Sequence, residues 1–172
     1  MPRHLVLVGL PGAGKSTIGR MVAEELGTSV MDVDAFLVRQ MGMPVSQIFG
    51  KYGEAEFRSM ERGAVRAALA GPPLVLVPGG GWAAQEGELE AAAASSLIVY
   101  LKCPPATAAK RVERGEVRPL LRAEDPAERM RALLAEREPY YLRAPHHVDV
   151  GQQPAQAAAA AIVAIAKRDG GW

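Results

Sequence analysis

Residues Gly9 to Ser16 read GLPGAGKS, a match to G-x-x-x-x-G-K-[ST]. This pattern constrains the chain more than any other, because it works only between a strand and a helix. The glycines let the backbone curl until successive N–H groups face one phosphate, and the helix that follows adds its positive dipole end. Both flanks are present. HLVLVG, at residues 4–9, is a buried-strand pattern, and KSTIGRMVAEELG has apolar residues at 18, 21, 22 and 26 before Gly27 stops the helix. A plain glycine-rich turn would need neither flank. The predicted cradle is Gly12, Ala13, Gly14, Lys15, Ser16 and Thr17, with Lys15 as the cation for β/γ-phosphates and the Ser16 hydroxyl suited to Mg²⁺.

The rest of the chain keeps the same rhythm. Strand patterns TSVMDV, LVLVPGGG, SLIVYLK and HHVDVG alternate with helical patterns such as EAEFRSMERGAVRAALAG, PAERMRALLAEREPYYL and PAQAAAAAIVAIAKR. That alternation predicts an α/β fold with a mostly parallel sheet. At 172 residues, with no repeat or long linker, one domain over 1–172 is expected. Hydrophobic residues at 49% and charged ones at 23% describe a soluble globular chain. The formal charge of +1 gives no electrostatic case for nucleic acid or an anionic membrane. A single cysteine, Cys103, forbids an internal disulfide and suits a reducing compartment, and no apolar run approaches the roughly 20 residues of a spanning helix. A cytoplasmic location is expected.

Two acids one residue apart, Asp32 and Asp34 in MDVDAF, end the second strand pattern. In an extended chain both would face one space, which is costly unless a cation lies beside them. With the phosphate loop nearby the cation is Mg²⁺, held by Asp32 and Ser16, since magnesium takes few carboxylates and keeps waters. Asp34 would then meet an acceptor hydroxyl. A helix cap at Asp34 before AFLVRQMG is the alternative, but it accounts for only one acid. Arg58 and Glu61, three apart on one helix, can pair. Alone that is an ordinary surface pair, yet it also orients a fork suited to a carboxylate. In PGGG, residues 78–81, the glycines admit either close approach of a ligand or a flexible turn. Arg114, Arg118 and Arg122 recur every four residues in an arginine-rich segment, readable as a solvated face or as a lid over phosphates. His4, His146 and His147 are read as structural.

GLPGAGKST, DVD, IFGKYGEAEFRSMER, PGGG and VRPLL occur in the order and approximate spacing of the shikimate kinases, and the chain resembles that family over nearly its whole length. The resemblance implies a single-domain P-loop kinase of the nucleoside-monophosphate-kinase type. Its five-stranded parallel sheet would have the order 2-3-1-4-5, with acceptor-binding helices at about 33–62 and a mobile lid at about 112–125. It implies transfer of the γ-phosphoryl of ATP to the 3-hydroxyl of shikimate, with Mg²⁺, in a chain expected to be monomeric. By the same resemblance Lys15, Asp34 and Arg118 are catalytic. Arg111 and Arg118 contact ATP, while Arg58, Gly80, Gly81 and Arg137 join Asp34 on shikimate. Three departures stand out: Val33 between the acids, Trp82 after the glycines, and no arginine in GQQP at 151–154. A kinase for gluconate or a nucleotide is the nearer rival. A nucleotide-dependent switch is the other, although N-K-x-D is absent.

Overall fold

The computed structural model describes residues 1–113 and 125–172. Five strands form one parallel sheet: β1 (His4–Val8), β2 (Val30–Asp32), β3 (Val75–Val77), β4 (Ser96–Lys102) and β5 (His146–Asp149). Their order is β2-β3-β1-β4-β5, as the resemblance implies. β1 lies at the centre, with Leu5 opposite Val75 on one side and Leu97 on the other. Buried on both faces, it needs an unbroken apolar run, and all five of its residues are buried.

Helices flank the sheet. The first half contributes α1 (Lys15–Leu26), α2 (Val33–Met41), α3 (Val45–Tyr52) and α4 (Glu54–Leu69). The second contributes α5 (Glu88–Ala93), α6 (Pro105–Glu113), α7 (Pro126–Tyr141) and α8 (Ala155–Asp169). α1 packs on α8, and α6 on α7. A β-carbon at Gly19 of α1 would lie 3.0 Å from a methyl of Val77, so glycine there lets the helix sit close over β3. Among the described residues no helix is long and apolar enough to cross a membrane.

Three local features differ from the sequence-based expectation. β2 ends at Asp32, and α2 begins at Val33, so Asp34 is in the first helical turn and not further along a strand. The cap is Asp32, whose Oδ1 accepts from the Ala35 N–H at 3.1 Å. Strand periodicity fails there because the chain turns into the helix immediately after Asp32. The third difference is α5, in a stretch where the sequence reading places no element. Its six residues are too few for a periodic signal.

The histidines are structural, as expected. His4 is buried, accepts the Leu74 N–H at Nδ1 and therefore donates from Nε2 to the Leu69 carbonyl at 3.0 Å. His147 hydrogen-bonds the Ala144 carbonyl, and His146 lies 3.5 Å from Asp169. Trp82 is fully buried and borders, with Val65, Leu69 and Ala92, a pocket between α4 and α5. It does not line the cleft beside the phosphate loop.

Candidate active site

The phosphate loop leaves β1 and enters α1 through Gly12 and Gly14, whose φ angles of 82° and 90° suit glycine alone. Gly12 also touches the start of α6, since a β-carbon there would strike the Ala108 carbonyl. Lys15 is buried, and its Nζ donates to the carbonyls of Gly9 at 2.7 Å and Leu10 at 2.8 Å. One residue on, the Ser16 hydroxyl donates to Asp32 Oδ2. The two carboxylate oxygens of Asp32 are therefore divided, one capping α2 and one meeting the first turn of α1. A hydroxyl and a carboxylate at the mouth of a phosphate loop form a hard, all-oxygen donor set, and such donors fit Mg²⁺.

An open cleft gathers Gly12, Lys15, Ser16, Asp32, Asp34 and Gly80. The two acids thus share one space, although by a helix turn rather than by strand alternation. Arg58 is held from several sides. Its guanidinium donates to Glu61 Oε1 at 3.1 Å, lies 3.6 Å from Glu54, and sits 5.9 and 5.6 Å from the ring centres of Phe49 and Phe57. Glu61 is fully buried, and Gln85 donates to its Oε1 at 2.8 Å. Burial raises its pKa above the ordinary 4.5, Arg58 opposes the shift, and Asp34 adds to it. Arg62, in turn, donates to Gln85.

The glycine loop after β3 fits this arrangement residue by residue. A β-carbon at Gly79 would overlap Glu61 Oε2 and lie 3.2 Å from Asp34 Oδ1. At Gly80 it would lie 3.0 Å from the Arg137 guanidinium, and at Gly81 within 2.6–2.9 Å of three guanidinium atoms of Arg58. Each glycine therefore leaves room for a different charged side chain. Arg137, on α7, is buried. Asp34, Arg58 and Arg137 thus converge on the loop that carries Gly80 and Gly81, the five residues that the family resemblance implies for the acceptor.

On the other side of the phosphate loop, Arg111 of α6 donates to the carbonyls of Ala13 at 3.2 Å and Val150 at 3.1 Å, with Gly12 at 3.4 Å. It borders a second cavity with Gly14, Thr17, Val150 and Ala155. Arg111 is thus near the expected nucleotide site but engaged with backbone on both of its walls. The loop after β5 packs on Pro104, which a β-carbon at Gly151 would strike. Arg118, with Arg114 and Arg122 of the expected lid, lies outside the described residues.

Sequence reasoning misses Tyr141. It is fully buried, its hydroxyl donates to the Gly80 carbonyl, and its ring lies 5.1 Å from that of Tyr100. One signal was available: Tyr141 follows Arg137 by four residues on α7 and so shares its face.

A phosphate loop at the end of the central strand of a 2-3-1-4-5 sheet, opening on a cleft lined by two aspartates and edged by a glycine loop that two arginines touch, defines a P-loop kinase for a small acceptor. A family model described as shikimate kinase matches residues 11–167, and the chain belongs to that family. Shikimate kinase of Mycobacterium avium (strain 104) is 46% identical over 144 residues, covering 84% of this chain and 81% of that protein. Its counterpart from Mycobacterium tuberculosis (strain CDC 1551 / Oshkosh) is 46% identical over 143 residues, covering 83% and 81%. The structure of shikimate kinase from Acinetobacter baumannii in complex with shikimate superposes with a TM-score of 0.92 at 34% identity, covering 98% of this chain and 95% of that one. A gluconokinase from Sinorhizobium meliloti, at 21% identity and a TM-score of 0.68, shares the fold.

Proposed function

We propose that this protein transfers the γ-phosphoryl group of ATP to the 3-hydroxyl of shikimate, giving shikimate 3-phosphate and ADP, within aromatic amino-acid biosynthesis. The observation that carries this reading is the glycine loop, whose three residues each make room for part of an aspartate–arginine–arginine set. Such a set fits a small polyol with a carboxylate at one end and a reactive hydroxyl at the other. The solved relative from Acinetobacter baumannii, described in complex with shikimate, supports it further.

Phosphoryl transfer asks the protein mainly for positioning and charge stabilisation. Lys15 and the backbone of Gly12, Ala13, Gly14, Ser16 and Thr17 hold the β- and γ-phosphates. Ser16 and Asp32 would hold Mg²⁺, which when bound neutralises charge across the phosphoryl oxygens. Arg58 and Arg137 grip the acceptor, and Asp34 aligns its hydroxyl and takes the proton. Gly80 and Gly81 line its edge with backbone. Arg111 shapes the nucleotide side, and Arg118, by resemblance, adds charge over the transferring group. The helices at about 33–62 serve the acceptor, and the segment at about 112–125 serves as the lid. The enzyme acts as a monomer in the cytoplasm.

The test is ADP release from Mg-ATP with shikimate, gluconate, a nucleoside monophosphate or no acceptor, repeated with Asp34→Asn. Turnover is expected with shikimate alone, with kcat falling roughly 10²- to 10⁴-fold in the variant and the KM for ATP unchanged. Preference for another acceptor would overturn the pocket assignment. Hydrolysis without any acceptor would instead favour a nucleotide switch.

A further inference from the structure

We infer that Tyr141 is a positioning residue for the acceptor site: its hydroxyl fixes the Gly80–Gly81 peptide in the orientation that acceptor binding needs. The inference rests on the shikimate kinase reading and adds to it a residue that touches neither substrate. Four observations place Tyr141 in this role. Its hydroxyl donates to the Gly80 carbonyl. Its side chain is fully buried, so the hydroxyl has no water to donate to in place of that carbonyl. It sits four residues, about one helical turn, after Arg137 on α7, and Arg137 lies 3.0 Å from where a Gly80 β-carbon would be. One helix therefore brings both a charge and a latch to the same glycine. Finally, the ring is braced. It packs against Tyr100 of β4, whose own hydroxyl donates to Glu138 Oε2 at 2.8 Å and whose ring meets the edge of His147.

The latch has a directional consequence. In a trans peptide the carbonyl and the next N–H point to opposite sides. With the Gly80 carbonyl drawn to Tyr141, the Gly81 N–H is turned away from that hydroxyl and fixed there. Glycines on either side cannot hold that plane themselves, because they are the residues least restricted in φ and ψ. Trp82 N–H, bonded to the Gly79 carbonyl at 3.0 Å, closes the loop but leaves the Gly80–Gly81 plane to Tyr141. Burial and nearby Glu61 push the Tyr141 hydroxyl up to about 12, against the pull of Arg137, so it remains a donor throughout the working range.

Tyr141→Phe removes the donor and keeps the ring. Tyr100→Phe is its companion, since it removes a second buried hydroxyl from the same ring pair without touching Gly80. In Tyr141→Phe the KM for shikimate is expected to rise roughly 5- to 20-fold, as the Gly80 carbonyl loses the donor that fixes it, with the KM for ATP within about twofold. Tyr100→Phe should lower the unfolding temperature while leaving both KM values near wild type. A fall in stability alone for Tyr141→Phe, or equal rises in both KM values, would overturn the inference. Failure of the underlying reading would look different, because wild-type protein would then show no preference for shikimate.

Discussion

Gly81 shows how little room separates a working guanidinium from a displaced one. A methyl group there would fall within 2.6–2.9 Å of Arg58, whose position is already set by Glu61 and two phenyl rings. Something must shift, and the guanidinium is the part able to move. Gly81→Ala is therefore expected to raise the KM for shikimate roughly tenfold or more, the scale of a lost charged hydrogen bond. The KM for ATP and the unfolding temperature should change little. Steady-state kinetics with each substrate varied in turn would check this, and an unchanged shikimate KM would count against a role for Arg58 in acceptor binding. Asp34, Arg58, Gly80, Gly81 and Arg137 could be proposed from the sequence through its resemblance to one family, which rests on narrow motifs around the first four. Their matching could not, since which glycine meets which charged group depends on side chains from α2, α4 and α7 converging in space. Tyr141 escaped for the same reason: its partner is a backbone oxygen on another element.

At the scale of elements, the junction of β2 and α2 carries two duties on one carboxylate. Asp32 caps α2 and also accepts from Ser16, the residue suited to the metal. Two substitutions separate these duties. Asp32→Asn keeps an oxygen for the cap but removes the charge. The unfolding temperature should hold, while the Mg²⁺ concentration for half-maximal activity should rise severalfold. Asp32→Ala removes the cap as well and should cost about 1 kcal/mol, or roughly 2–4 °C in a chain of this size. Thermal unfolding and a magnesium titration on both variants would test the assignment; equal magnesium dependence in wild type and Asp32→Asn would remove Asp32 from the metal site. Strand alternation put the two acids in one space for the wrong reason. Capping by Asp32 sets the start of α2, and a helix turn brings Asp34 to the cleft instead. The runs of β1, β2 and β4 were plain in the sequence, whereas the point where β2 gives way to α2 was not, and a six-residue α5 carries too few residues to declare a period.

For the whole molecule, Glu61 ties the site to global stability. Its carboxyl is buried and its pKa lies above 4.5, chiefly through desolvation, with Arg58 opposing and Asp34 reinforcing the rise. The folded state therefore holds this proton more tightly than the unfolded chain does. The stabilisation is complete below the unfolded value and is lost as pH rises through the raised folded value. Comparing wild type with Glu61→Gln isolates this contribution from other titrating groups. The wild type should be relatively most stable at about pH 4 and lose ground to the variant as pH increases, then run parallel to it once Glu61 is ionised. Unfolding temperatures taken across that range would show the trend; a constant difference would mean that Glu61 titrates alike in both states.

Lys15 already has two firm oxygen partners in the carbonyls of Gly9 and Leu10. Any anion that takes the ammonium must first compete with them. A lone inorganic phosphate has only its own charge with which to do so, whereas a nucleotide adds its base, its sugar and further phosphate contacts along the same loop. The carbonyls thus act as a threshold for entry, and a medium crowded with orthophosphate should leave the enzyme largely uninhibited at concentrations where ADP competes strongly.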